Sequence, residues 1–340
     1  MNSESKMLRV EGNKILDGSG KSVRLLGVNR AGLEWDAKDE RILESVAYAC
    51  DEWQCNVIRI PVSQDRWFGF GPEQQEDDIN GEKYREKVDA LAAAMLERGK
   101  YMILDLHWSN MNEWGNNIGQ HYMPDMNSLF FWKDAAGRYK NHPAVLFNIY
   151  NEPHSVSWGV WKNGGEVVER VTDRRTKEVR EYRYATPGTQ KLADAIRAQG
   201  AENMLVIGGL DWGFTLEELC NGYEIDDRGG NGIIYDSHIY PWKPLDWDKY
   251  TAEAASKYPL LIGEFGHYGD KAQPNEGKQA LKSDEWMKRI LNWLDERGYH
   301  FTAWDFHPAA GPCLIKSFGN EPTEYCGVYV KQYLAENNIP

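Results

Sequence analysis

The chain has 340 residues, 41% of them hydrophobic, and a formal charge of −13. That is enough apolar material for a sizeable core, yet no apolar stretch is long enough to span a membrane. The acidic balance argues against a nucleic acid or another anionic polymer as partner, since phosphate binding needs a basic face, and it is compatible with a neutral substrate.

Residues 1–6 are polar and lack the apolar segment of a signal peptide. The expectation is a secreted or periplasmic protein whose signal has been removed, with a cytoplasmic location as the alternative. The stretch from Leu8 to Gly18 alternates around Gly12-Asn13 and predicts a small β-hairpin. Strand patterns then fall at 24–29, 56–61, 101–107, 145–150, 204–209, 232–238, 260–264 and 300–305. Helical periodicity fills 39–53, 82–98, 128–140, 188–199, 248–257, 278–297 and 324–336, with a shorter candidate at 215–220. Gly99, Gly200 and Gly298 each stand just past a last turn, as helix stops. Eight strands alternating with helices, without a break in composition, predict an α/β protein: one (β/α)8 TIM barrel over 1–340, a single catalytic domain. An open doubly wound sheet is the rival, but no Gly-x-Gly-x-x-Gly loop follows any strand.

Connections after the strands are long. One runs over 108–127, a longer one over 155–187, and another over 305–323. Within the second, Glu166–Tyr184 alternates apolar and charged residues and predicts a long exposed β-hairpin inserted after the fourth strand. Loops of this length are usually functional, here as walls of a cleft. The five cysteines show no metal or redox spacing; Cys50 with Cys55, or Cys313 with Cys326, could bridge, and the odd count leaves at least one thiol free.

Polar and aromatic residues close the strands: Arg59, His107, Asn151, Glu152, His238, Tyr240, Glu264 and Trp304. A barrel brings such positions into one bowl at its C-terminal face. Any one of them could be a satisfied core group, but eight together point to an active site. Two end apolar runs, Glu152 after Val145-Leu-Phe-Asn-Ile-Tyr-Asn and Glu264 after Pro259-Leu-Leu-Ile-Gly. A carboxylate pair on separate strands is what glycosidic cleavage needs, one protonated acid and one ionised nucleophile. The 14 Trp and 18 Tyr agree, several lying in Gly- and Asn-rich loops where a flat ring can stack on a sugar.

Asn151-Glu152-Pro153 after its strand, with Gly263-Glu264-Phe265-Gly266, resembles glycoside hydrolase family 5, a clan A family that includes cellulases and mannanases. The resemblance covers nearly the whole chain, from Leu25-Leu-Gly-Val-Asn29 through Arg59, His107 and His238-Ile-Tyr240 to Trp304. It implies a retaining mechanism, with Glu152 as acid/base and Glu264 as nucleophile. The chemistry of the residues fits those roles. Arg59 and the Tyr240 hydroxyl should keep Glu264 ionised, while partial burial and the negative Glu264 should raise the pKa of Glu152. His238 should contact Glu152, Asn151 should hold the sugar's 2-hydroxyl, His107 should bond the same sugar, and Trp304 should form its floor. A carboxyl separation of about 5–5.5 Å is expected for retention.

Glu34, Trp35, Trp108, Trp212 and Trp242 are candidates for further subsites, with packing of loop aromatics as the alternative. The expected partner is a β-linked oligosaccharide or polysaccharide, β-1,4-glucan or β-mannan favoured, cut internally by a monomer without metal or cofactor. An exo-acting β-glycosidase is the alternative, should the loops at 155–187 and 305–323 close one end of the cleft. A metal-dependent hydrolase on the same fold is a rival class, because His107, Glu152, His154, His238, Glu264 and His267 are permissible ligands. Against it, the first strand has no His-x-His pair, and Arg59 would repel a cation. A sugar-binding protein without catalysis is a second rival, though none of the catalytic parts is missing.

Overall fold

The computed structural model describes residues 7–38, 40–172, 175–269 and 281–338. Strands β1 (Arg9–Glu11) and β2 (Lys14–Leu16) form the N-terminal hairpin. There follow β3 (Leu26–Asn29), β4 (Val57–Ser63), β5 (Tyr101–Trp108) and β6 (Val145–Asn148). An antiparallel pair, β7 (Gly165–Thr172) and β8 (Val179–Thr186), interrupts them before β9 (Leu205–Gly208), β10 (Ile233–Ile239), β11 (Leu260–Phe265) and β12 (His300–Ala303). All but the two hairpins pair in parallel, and β12 closes on β3 to give an eight-stranded barrel. The predicted barrel and both hairpins are therefore present.

Helices α1 (Ile42–Asp51), α2 (Gln64–Trp67), α3 (Glu82–Glu97), α4 (Ser128–Tyr139), α5 (Trp158–Asn163), α6 (Thr189–Arg197), α7 (Trp247–Lys257), α8 (Ser283–Arg297) and α9 (Gly327–Asn337) surround it. Seven of these match the predicted stretches; position 39 of one prediction, 278–280 of another, and 173 and 174 of the predicted hairpin lie outside the described residues. The short α2 and α5 were not expected, and the candidate at 215–220 is instead a π-turn at Leu219–Tyr223. Gly99, Gly200 and Gly298 take φ of 68°, 74° and 64°, so each stop is the left-handed cap that glycine favours.

The barrel interior is layered by the two-residue period of its strands. At the base Leu25, Val57, Ile103, Leu146, Val206, Ile234 and Leu261 meet in one apolar cluster, and Leu8 and Ile15 of the N-terminal hairpin close it. Two residues further along, the same strands turn Arg59, Asp105, Asn148 and Asp236 inward, all buried. At two points the register slips. The pairing of β4 with β5 shifts between Val62 and Ser63, skipping His107, and that of β10 with β11 shifts between Ser237 and His238, skipping Gly263. Such bulges re-aim side chains beside active sites, and here they fall next to His107, His238 and Glu264.

Candidate active site

Arg59 organises the mouth of the barrel. Its Nη1 donates to Glu264 Oε1 and to Asn29 Oδ1, each at 2.9 Å. Nη2 donates to Asn151 Oδ1 at 2.7 Å and meets Asp105 Oδ2 at 3.0 Å, while Nε reaches Asn148 Oδ1 at 2.9 Å. A planar guanidinium held at five points is rigid, so Glu264 and Asn151 take fixed places relative to each other. Glu264 Oε2 accepts from the Tyr240 hydroxyl at 2.7 Å, which occupies its second oxygen as expected.

Facing it, Glu152 follows β6 with φ of +50°, in the left-handed region. A non-glycine residue there is held by its surroundings, and such strain gathers at functional turns. Its Oε1 lies 3.0 Å from His238 Nδ1, and His238 Nε2 lies 3.2 Å from Asp236 Oδ2. Gly213 makes room for that imidazole: a Cβ there would sit 3.2 Å from the ring. The Glu152 side chain is 18% exposed and that of Glu264 only 5%, so the former is the more open to a substrate. One oxygen of each, with a ring nitrogen of His238, lie within 4.8 Å of one another.

Proton placement departs from the expectation. Burial opposes charge on His238, but Glu264, Asp236 and the hydrogen bonds to Asp236 and Glu152 outweigh it and push the ring up to about 10. Burial by itself would raise Glu152, yet the hydrogen bond and charge of that imidazolium hold the carboxyl below its ordinary value. Burial lifts Glu264 above its ordinary value, with His238 and Arg59 opposing and Glu152 reinforcing. The expected order, Glu152 raised and Glu264 lowered, is thus reversed. The physical reason is that His238 stands between the two carboxylates, backed by Asp236, and bears most directly on Glu152, its hydrogen-bond partner at 3.0 Å, while Glu264 Oε2 is 3.6 Å away.

His107 Nδ1 lies 2.6 Å from Asp105 Oδ2, and its Nε2 lies 3.3 Å from Asn151 Nδ2. Trp304 stacks on the His107 ring at 5.5 Å. Trp304 and Tyr240 share a small apolar cluster with Ala31, against which Trp35 and Trp242 pack. Trp242 lies flat on Tyr240, 4.7 Å between centroids and 3° between planes. The structure therefore gathers Arg59, His107, Asn151, Glu152, His238, Tyr240, Glu264 and Trp304 as predicted, with Trp35 and Trp242 beside them. Glu34 is buried near His107, its Oε2 accepting from Gly32 N at 2.7 Å, and burial above all lifts its pKa to about 7. Trp108 sits under the Arg66 guanidinium at 6.0 Å. Trp212 stacks on His154, 3.4 Å between centroids, beside the Asn-Glu-Pro turn.

Asp105 and Asp236 are two residues that sequence reasoning passed over. Each stands two positions before a site histidine on the same strand, so the repeated Asp-x-His spacing was the available signal. A metal fits this mouth poorly. Among the described residues, Glu152, His238 and Glu264 form a cluster of candidate ligands, but the fixed positive charge of Arg59 lies 2.9 Å from one of them. None of the five cysteines is paired, so neither candidate bridge forms.

A family model described as Cellulase (glycosyl hydrolase family 5) matches residues 16–310. An endoglucanase of Paenibacillus polymyxa is 25% identical, aligning 88% of this chain with 80% of its own. Endoglucanase N of Pectobacterium atrosepticum is 24% identical over 87% of this chain, which spans only 56% of that relative. Among solved structures, the β-glucanase SdGluc5_26A of Saccharophagus degradans superposes with a TM-score of 0.74 at 21% identity, covering 98% of this chain and 94% of that one.

Proposed function

We propose that this chain, which belongs to glycosyl hydrolase family 5, is a retaining endo-β-1,4-glucanase acting as a monomer. The observation that carries the mechanism is the carboxylate pair, close enough that oxygens of Glu152 and Glu264 fall within 4.8 Å with His238 between them. Inverting enzymes hold their carboxyl groups about 6.5–9.5 Å apart to admit a water, and a pair whose facing oxygens come this near favours the shorter span of nucleophilic attack. Glu264, oriented through Arg59 and Tyr240, attacks the anomeric carbon as the bond to the leaving oxygen breaks. Glu152 supplies the proton to that oxygen. Having given it up, it takes a proton from the water that attacks the glycosyl–Glu264 ester, and free Glu264 returns.

His238 loads the acid. Its Nδ1 lies 3.0 Å from Glu152 Oε1, and a sugar seated between the carboxylates lowers the local polarity and favours the neutral pair, with a proton moved from the ring onto Glu152. Asn151 Nδ2 binds the 2-hydroxyl, and Trp304 offers the platform beneath the ring. The choice of glucan over mannan follows the relatives, which are named endoglucanases. A polymeric glucan places the enzyme outside the cytoplasm. Among the described residues no helix is long and apolar enough to cross a membrane.

Incubation with a 2-deoxy-2-fluoro cellobioside should leave a stable glycosyl adduct on the peptide holding Glu264, read by mass spectrometry. An active enzyme that inverts the anomer and forms no adduct would overturn retention. On carboxymethyl cellulose, viscosity should fall well ahead of reducing-sugar release, and single sugars released from the start would instead mean exo action.

A further inference from the structure

Asn151 has three side-chain neighbours, and one of them lies outside the catalytic set. A guanidinium only donates, so Arg59 at 2.7 Å fixes Oδ1 towards the barrel and turns Nδ2 away from it. There Nδ2 donates to Gln120 Oε1 at 2.7 Å and lies 3.3 Å from His107 Nε2. The two hydrogens of an amide nitrogen share a plane and diverge at a fixed angle. Once the short bond to Gln120 takes one of them, the other is aimed at the space beside His107. Gln120 Nε2 also donates to the Asn151 carbonyl at 2.9 Å and lies 3.4 Å from that of Glu152. One side chain thus grips Asn151 by its amide and its main chain, where the backbone turns into the left-handed Glu152.

Gln120 stands on the connection between β5 and α4, and the inserted hairpin holds that connection. Glu169 of β7 is only 4% exposed, unusual for a carboxylate on a surface hairpin. It accepts from Tyr122 N at 3.0 Å and from the Tyr184 hydroxyl at 3.3 Å, and meets His121 Nδ1 at 3.1 Å. Tyr184 of β8 in turn bonds the Met123 N–H and carbonyl, each at 3.1 Å. The residues immediately after Gln120 are therefore fixed from the hairpin side.

We propose that Gln120 is a positioning residue that orients Asn151 towards the sugar's 2-hydroxyl, and that the inserted hairpin acts through Glu169 and Tyr184 to keep Gln120 in place. This rests on the retaining glycosidase reading above. The sugar's 2-hydroxyl binds beside the pair of nitrogens, 3.3 Å apart, accepting from Asn151 Nδ2 and donating to His107 Nε2, while Gln120 keeps its own bond. The hairpin then serves the chemical step at a distance instead of contacting substrate.

The test is a double-mutant cycle on an aryl β-cellobioside, with kcat, KM and Tm measured for wild type, Gln120→Ala, Asn151→Ala, the double variant and Glu169→Ala. Gln120→Ala should lower kcat about tenfold with KM little changed, because the 2-hydroxyl bond strengthens in the transition state. In the Asn151→Ala background the same change should cost less than about twofold. Glu169→Ala should lower kcat by about threefold, and combining it with Gln120→Ala should add nothing further. Equal losses in both backgrounds, or an unchanged kcat with only Tm reduced, would overturn the inference. Wild-type protein inactive on every β-glycoside would overturn the glycosidase reading itself, a different outcome from an active enzyme with additive losses.

Discussion

The base and the mouth of the barrel are built from the same strands two residues apart, and they could hardly differ more. At the base six strands, with Leu25 just before β3, contribute apolar side chains to one sealed cluster. One inward position higher, Arg59, Asp105, Asn148 and Asp236 stand equally buried, Arg59 bonded to Asn148 and paired with Asp105, and Asp236 bonded to His238. Packing explains the first layer. It does not explain the second, because buried ion pairs are commonly no more stabilising than apolar residues of the same volume. What the charged layer contributes is fixed geometry: it hands Glu264 and Asn151 to one guanidinium, and His107 and His238 each to an aspartate. The base contributes net stability, while the mouth contributes function and is costly only when one of its charges loses its partner.

The largest effect that would sharpen this division is at Glu264. Glu264→Ala should lower kcat about 10⁴-fold or more on an aryl glycoside, while Tm stays level or rises as a buried carboxylate is removed. A Tm drop of many degrees would instead make Glu264 a structural member of the barrel. Next is Arg59→Met, which leaves Asp105 and Glu264 buried without their cation. It should cost about 3–5 kcal/mol in denaturant unfolding and also abolish turnover. Retained stability would show that the charged layer supports only the site.

Proton linkage probes the base. His300, at the start of β12, accepts from Leu25 N through Nδ1 at 3.0 Å, and burial above all lowers its pKa to about 3. Unfolded, the ring titrates near 6.5, so between these values the unfolded chain binds the proton and the folded chain does not. Its stabilising contribution is whole above about pH 6.5 and is lost as pH falls towards 3. Wild type should lose about 3 kcal/mol more than His300→Gln between pH 7 and pH 4. Parallel curves for the two proteins would mean that the base tolerates charge there, which would weaken the contrast with the mouth.

Much of both layers was legible beforehand, for one reason. A fully buried parallel strand is a short apolar run, and a charge at its end stands out; Arg59, Glu152 and Glu264 were visible on those grounds. Asp105 and Asp236 sit inside the runs and gain meaning only when the two-residue period is followed from the histidines back into the barrel. The proton order was not legible, because it depends on His238 being shared between Glu152 and Asp236, a matter of tertiary distance. Nor was Gln120, a loop amide 31 residues from the asparagine it grips. Helices α2 and α5 were missed since four and six residues give too little periodicity to read.

The smallest expected effect separates two platforms within the mouth. Trp304 is nearly buried and stacks on His107, on the side of Arg59 and Asn151. Trp212 is 45% exposed, stacks on His154 and donates its main-chain N–H to the Pro153 carbonyl at 3.2 Å, which ties its backbone to the turn carrying Glu152. In the proposed mechanism Glu152 protonates the leaving oxygen, so a ring fixed beside it would face the departing part of the chain. Trp212→Ala should therefore reduce kcat/KM about fivefold on cello-oligosaccharides, whose leaving group is a sugar that can stack, at about 1 kcal/mol for one lost platform. On an aryl cellobioside with a small leaving group it should change little, whereas Trp304→Ala should depress both substrates together. Equal losses on both substrates for Trp212→Ala would place its ring with Trp304, on the side of the sugar under attack.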